Sequence, residues 1–166
     1  LHREVHEDVR ARRLEIGRVI TLGLAGFDAP LSGDAVHEAA AATRGVRRAI
    51  ASYGGTLPND RRAVWDSASA RLIRTAEYLD DHPDFERLDR LELIVAYANP
   101  AARAVDSLRA ALGIELPPGR SAWSRDAATL FDAGAFDATG FAPAFAPRRS
   151  ETLVGLGRDL FFEPAL

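Results

Sequence analysis

Apolar residues recur along this chain at the three- and four-residue intervals of an α-helix, and the breaks between runs are built from Gly, Pro and Asp. The first run, His2 to about Ala25, places Val5, Val9, Ile16, Val19 and Ile20 along one stripe, with Arg and Glu between them. Gly26-Phe27-Asp28-Ala29-Pro30 then ends it. Ser32 or Asp34 supplies a side-chain acceptor for the free N–H groups of a second helix, which reaches about Tyr53 on Val36, Ala40, Thr43, Val46 and Ile50. After Gly54-Gly55, Pro58-Asn59-Asp60 opens a third helix, Arg61 to Asp81, with Val64, Trp65, Ala68, Leu72, Ala76 and Leu79 inward.

His82-Pro83-Asp84 is a second stop-and-start signal, and a fourth helix is expected to carry Phe85, Leu88, Leu91, Ile94 and Val95. Pro100 has no N–H to donate, so the pattern that resumes at Ala101, Val105, Leu108 and Leu112 is either one kinked helix or a second helix abutting the first. Gly113 ends it. The fold expected is all-α, an antiparallel bundle of four to five helices over residues 1–113.

From 114 to 149 the texture changes to Pro, Gly and Phe, with one short helix expected from about Ser124 to Asp132. Phe131, Phe136, Phe141 and Phe145 recur every four or five positions. Each can bury on the order of 150–200 Å², so this segment reads as a strap laid over the bundle or wedged against a further domain, with a loose linker as the alternative. Residues 150–166 form one more amphipathic helix: Leu153, Leu156, Leu160 and Phe161 share a face, Gly157 permits close packing, and Pro164 closes it.

Composition narrows the function classes. At 166 residues, 47% hydrophobic and 27% charged, the chain can bury a real core, and no apolar run reaches the ~18–20 residues of a membrane span. All 21 basic residues are Arg, but 24 acidic ones are interleaved with them and the net charge is −3, so no basic footprint for nucleic acid forms. The absence of Cys excludes disulfides, thiolate chemistry and covalent c-type haem attachment on these residues.

Candidate chemistry is sparse. His2 and His6 share a helical face, but the intervening Arg3-Glu4-Val5 sets Glu one place too late for a zincin, which leaves at most a weak surface site with Glu7. His37 sits near a helix start, and His82, beside Asp80 and Asp81, suits a cation at a helix C-terminus. Glu15, Asp28 and Glu92 have Arg18, Arg87 and Arg90 as potential ion-pair partners; no Glu-x-x-His accompanies them, so a di-metal centre is not indicated. Trp65, Trp123, Tyr53, Tyr78 and Tyr97 read as core or interface anchors ahead of any redox relay. No catalytic, cofactor-binding or metal-binding residue is assigned.

The tail Leu156-Gly157-Arg158-Asp159-Leu160-Phe161-Phe162-Glu163-Pro164-Ala165-Leu166 resembles the first helix of bacterial di-haem cytochrome c peroxidases and their MauG-like relatives, in which a C-x-x-C-H haem site follows. The segment Leu14 to Pro30, Tyr97-Ala98-Asn99-Pro100, Leu112-Gly113-Ile114, and the stretch from Leu130-Phe131-Asp132 to Phe141-Ala142-Pro143 are similar to helical N-terminal regions of long members of that family. The resemblance implies a periplasmic location and a non-catalytic accessory role for these residues. It implies a parent oxidoreductase that reduces hydrogen peroxide or performs MauG-like oxidation, with c-type haem on a following domain that this sequence lacks and a small electron-donor cytochrome as partner. The other reading is an independent helical binding module of the cell envelope, imelysin-like; but the imelysin marker G-x-H-x-x-E is not matched by Gly33-Asp34-Ala35-Val36-His37-Glu38, so no such site is carried over.

Overall fold

The computed structural model describes residues 15–27, 31–55, 57–116, 123–136 and 142–164. Among them the protein is all-α, with no strand. Helix α1 covers residues 15–23, its second half, Val19–Gly23, being π-helical. Helix α2 is Ala35–Ala51 and α3 is Arg62–Asp81, the latter preceded by the 3-10 turn Asn59–Arg61. Helix α4 runs without a break through Arg90–Glu92, a π-helical stretch Leu93–Ala98, and Asn99–Ala111. Helix α5 is Glu151–Phe161.

Cross-helix contacts give the directions. Trp65 Nε1 donates to the Ile50 carbonyl at 2.9 Å, Arg47 reaches Ser69, and Arg44 pairs with Asp80 at 2.6 Å, so α3 climbs as α2 descends. Likewise Arg61 Nη1 donates to the Ala111 carbonyl while Tyr78 meets Glu92 and Tyr97, making α3 and α4 antiparallel. Helix α3 is the shared wall. Toward one end it buries Ala68 and Leu72 against Ile16, Ile20, Val46, Ile50, Ala101, Val105 and Leu108. Toward the other it buries Tyr78 and Leu79 against Val19, Val36, Ala40, Leu88 and Leu93.

Several expected details change, each for a local reason. Ser32 and Asp34 make no side-chain cap on α2; the Ser32 hydroxyl accepts instead from the Asp34 N–H. Phe85 lies in a turn rather than a helix, because the Asp84 carboxylate takes the N–H groups of Glu86 and Arg87, and α4 starts only where Asp89 caps the Glu92 N–H at 2.8 Å. Leu91 and Val95 face solvent, at 71% and 60% exposure, whereas Leu93 and Ala98 are buried. The π-helical stretch explains the slip: the extra residue per turn, seen in the Asn99 N–H bond to the Ile94 carbonyl, moves the buried face off the 3.6-residue count. It also settles the Pro100 question as one continuous, locally widened helix, since wide turns just before a proline relieve the clash with the preceding carbonyl.

Gly113, with φ +68°, closes α4 in a Schellman arrangement: its N–H bonds the Ala110 carbonyl and the Ile114 N–H bonds that of Arg109. The helix expected from Ser124 to Asp132 is absent. Thr129 donates through both N–H and hydroxyl to the Asp132 carboxylate, Ser124 Oγ accepts from the Asp126 N–H, and an antiparallel bridge joins Trp123 to Phe136. These short polar bonds offer the backbone partners that a helix would have claimed. With those donors and Arg103 at 2.6 Å, Asp132 is held down to about 2, the Thr129 N–H being the largest influence.

The segment does dock on the bundle, but not through the phenylalanines among its described residues. Ile114, Trp123, Ala127, Thr129 and Ala135 are buried, while Phe131, Phe136 and Phe145 stay exposed; Phe141 lies outside the described residues. The anchor is Trp123, whose ring covers Gly17 of α1 so closely that a Cβ there would lie 2.8 Å from Cζ3. Gly54 is covered in the same way by Trp65. Helix α5 behaves differently. Its Ser150 side chain caps the Leu153 N–H, yet every described residue of it is exposed and Gly157 meets no neighbour.

Candidate functional site

Chemistry-bearing side chains converge at one place, the seam where the C-terminal turns of α3 face the π-helical stretch of α4. Tyr78 lies on the inner face of α3 and is 94% buried, so its phenol must find a partner there. It donates to Glu92 Oε2 at 3.1 Å, and the Asp89 carbonyl lies 3.4 Å away. Its ring is stacked between two others: Tyr97 on one side and His82 on the other, each at a centroid distance of 4.3 Å and tilted by less than 30°. Tyr78 and His82 meet because residues four apart on a helix share a face. Tyr97 reaches them because the π-helical stretch rotates it toward α3.

The electrostatics follow from that packing. Burial, reinforced by the hydrogen bond to Glu92 and by its negative charge, pushes the Tyr78 phenol from 10.0 up to about 12. His82 Nδ1 lies 2.8 Å from the Tyr78 carbonyl, which can only accept, so Nδ1 carries a proton and donates it to that bond. The same bond satisfies one of the last carbonyls of α3.

The sign of the Tyr78 shift gives a prediction. The folded phenol stays protonated at a pH where the unfolded one has ionised, so folding stability is fully present below pH 10 and falls as pH rises toward about 12. An absorbance titration of the phenolates is expected to show one of the 3 tyrosines ionising late, and Tyr78→Phe is expected to abolish that late phase and flatten the alkaline loss of stability. A single phenolate transition near 10 in the folded protein would contradict it.

Other residues singled out from the sequence do not join this seam. His2, His6 and Glu7 lie outside the described residues, as does Asp28. His37 is exposed on α2. Glu15 pairs with Arg18 at 2.6 Å as expected. Arg87 and Arg90 do not serve Glu92: Arg87 lies 3.6 Å from Asp84, and Arg90 ties down the carbonyls of Leu24, Leu88 and Phe85 while stacking over the Phe85 ring. A guanidinium carries donors enough for three carbonyls, and the phenol had already met Glu92. Trp65 and Trp123 act as packing anchors away from the ring stack. Among the described residues no group of His, Asp or Glu is arranged to hold a metal ion, and no helix is long and apolar enough to cross a membrane.

Comparison with protein-family models, curated protein sequences and solved structures finds no match to this chain.

Proposed function

We propose that this chain is the helical accessory region of a periplasmic di-haem cytochrome c peroxidase-like oxidoreductase, and that α5 opens its haem-bearing domain. The observation that supports the reading is the contrast between α5 and the bundle. Leu153, Val154, Leu156, Leu160, Phe161 and Phe162 are between 41% and 82% exposed on a well-capped helix, next to a bundle whose own core is closed without them. An apolar stripe of that extent needs a second surface to bury it. The tail also carries the resemblance to the first helix of that family. Without Cys, these residues attach no c-type haem, so no redox step is assigned to them.

The closed core equally suits an independent helical binding module, which is the competing reading. The test is on the full gene product. Its sequence after Leu166 is expected to contain C-x-x-C-H, and the purified protein to give a c-type pyridine haemochrome spectrum and to turn over hydrogen peroxide. An unrelated continuation, or a haem-free product, would leave the binding-module reading standing. Deleting residues 150–166 is expected to leave the thermal unfolding of the bundle unchanged in either case.

A further inference from the structure

The accessory role gives these residues no haem chemistry, yet the seam between α3 and α4 holds the parts of a redox step that needs no haem. Packing alone explains why the Tyr78 ring is buried, and the Asp89 carbonyl, 3.4 Å away, would serve as a plain acceptor for its hydroxyl. The closer partner is Glu92 Oε2 at 3.1 Å. That acceptor is also a base, and it lies within the distance over which a proton passes from donor to acceptor.

A phenol that loses an electron becomes a far stronger acid than any carboxylic acid. Its proton therefore moves to the carboxylate already bonded to it, and a neutral phenoxyl radical is left instead of an unstable cation. At rest the phenol keeps its proton well past neutrality, because burial and the Glu92 charge disfavour the phenolate. Proton loss thus waits on electron loss, and the two are coupled at one hydrogen bond.

The neighbouring rings supply a path for the electron and protection for the radical. Tyr97 is half-buried and stacks on Tyr78 with centroids 4.3 Å apart and planes 29° from parallel, so its π system links the outer wall of the seam to the buried ring. His82 covers the opposite face at 4.3 Å and 26°. Phenoxyl radicals decay chiefly by coupling through their ring carbons, which requires a second ring to approach. With 6% exposure and both faces occupied, Tyr78 is closed to such an approach.

We propose that Tyr78 is a redox-active tyrosine, which gives one electron to an outer-sphere one-electron oxidant by way of Tyr97 and its phenolic proton to Glu92. The Tyr78 O–H bond breaks, a bond from that hydrogen to Glu92 Oε2 forms, and the oxidant is reduced by one electron. The products are a neutral phenoxyl radical and a carboxylic acid; one returning electron, with the same proton, restores the resting pair. This does not depend on the accessory-domain reading, and its failure would leave that reading untouched.

The test supplies the oxidant as tris(bipyridine)ruthenium(III), generated by a light flash with persulfate as terminal acceptor, to the 166-residue chain. Transient absorption and freeze-quenched electron paramagnetic resonance are expected to show a tyrosyl radical that outlasts the radical of N-acetyltyrosinamide made in the same way. Tyr78→Phe is expected to remove the long-lived signal, and Tyr53→Phe, against the other core cluster, to leave it. Glu92→Gln keeps an acceptor oxygen but cannot take the proton. It is expected to preserve the melting curve while slowing radical formation roughly 100-fold, the lower end of what a positioned proton acceptor contributes. Tyr97→Phe keeps a ring in the stack that is harder to oxidise, and is expected to slow formation without shortening the lifetime. The proposal is overturned by a long-lived signal that survives Tyr78→Phe, by decay as fast as that of N-acetyltyrosinamide, or by formation at the parent rate in Glu92→Gln or Tyr97→Phe.

Discussion

Leu79→Ala is expected to lower the unfolding free energy by about 3 kcal/mol, and Leu160→Ala by no more than about 0.5 kcal/mol. Both leucines sit on apolar helical stripes in the sequence. Leu79 is fully buried between Val36, Ala40, Leu88 and Leu93, so truncation removes transfer free energy and also leaves a cavity that three packed helices cannot collapse. Leu160 is 49% exposed on α5 and gives up little that water was not already touching. For a domain of this size the first change corresponds to a fall in melting temperature of roughly 6–12 °C, and the second to one within the error of a scan. Urea unfolding of the two variants beside the parent chain is the measurement. A large loss for Leu160→Ala would show that α5 is seated on the bundle in solution, and would remove the main support for assigning it to another domain.

That comparison marks how far patterning reaches. The stripes through α2 and α3 were legible because those helices are regular, buried on one side and bounded by Gly, Pro and Asp. Val36, Ala40, Val46, Ile50, Leu72 and Leu79 are all buried as the spacing requires. Prediction failed where a local backbone choice was not encoded in periodicity. The π-helical stretch of α4 adds a residue to its turns, so Leu91 and Val95 leave the face on which a 3.6-residue count puts them. That same stretch sets the register of Tyr97 and Glu92 against Tyr78, which is why the ring stack and its carboxylate were not visible in the sequence. Only the Tyr78–His82 half, four residues apart on one helix, was within reach.

The 114–149 segment was legible only in part. Phenylalanine spacing pointed to apolar docking, but the residues that dock are a tryptophan and small side chains. Trp123 inserts where Gly17 leaves no Cβ, and Ala127 and Ala135 fill the space beside it. A contact of this kind joins two residues more than 100 positions apart, one of which has no side chain to announce it. Phe131, Phe136 and Phe145 remain outside, and their exposure accords with a second surface beyond the bundle, as does the open face of α5.

The Gly17–Trp123 contact makes a sharper prediction than either residue alone. Gly17→Ala places a methyl group 2.8 Å from Trp123 Cζ3, inside any normal carbon contact, against a rigid ring that is itself buried. The expected loss is about 1–3 kcal/mol, the usual cost of overpacking. Trp123→Ala removes the anchor and is expected to cost roughly 3–5 kcal/mol if the segment and the bundle unfold together. It costs less if the segment can peel away first, because then only the docking free energy is lost. The combination separates these effects. Once the ring is gone, the added methyl has no clash and Ala is the better helix former by roughly 0.5–1 kcal/mol, so Gly17→Ala in the Trp123→Ala background is expected to stabilise. The sign of the same substitution thus reverses with the partner, giving a coupling of about 1.5–4 kcal/mol, well beyond the additivity expected of distant sites. A Gly17→Ala effect that is unchanged by Trp123→Ala would mean that the ring does not cover α1 in solution. The segment would then be tethered to the bundle by Leu130, which packs against the core, and by Arg103 and Asp132, a pair whose Arg is 58% exposed and which contributes about 0–1 kcal/mol.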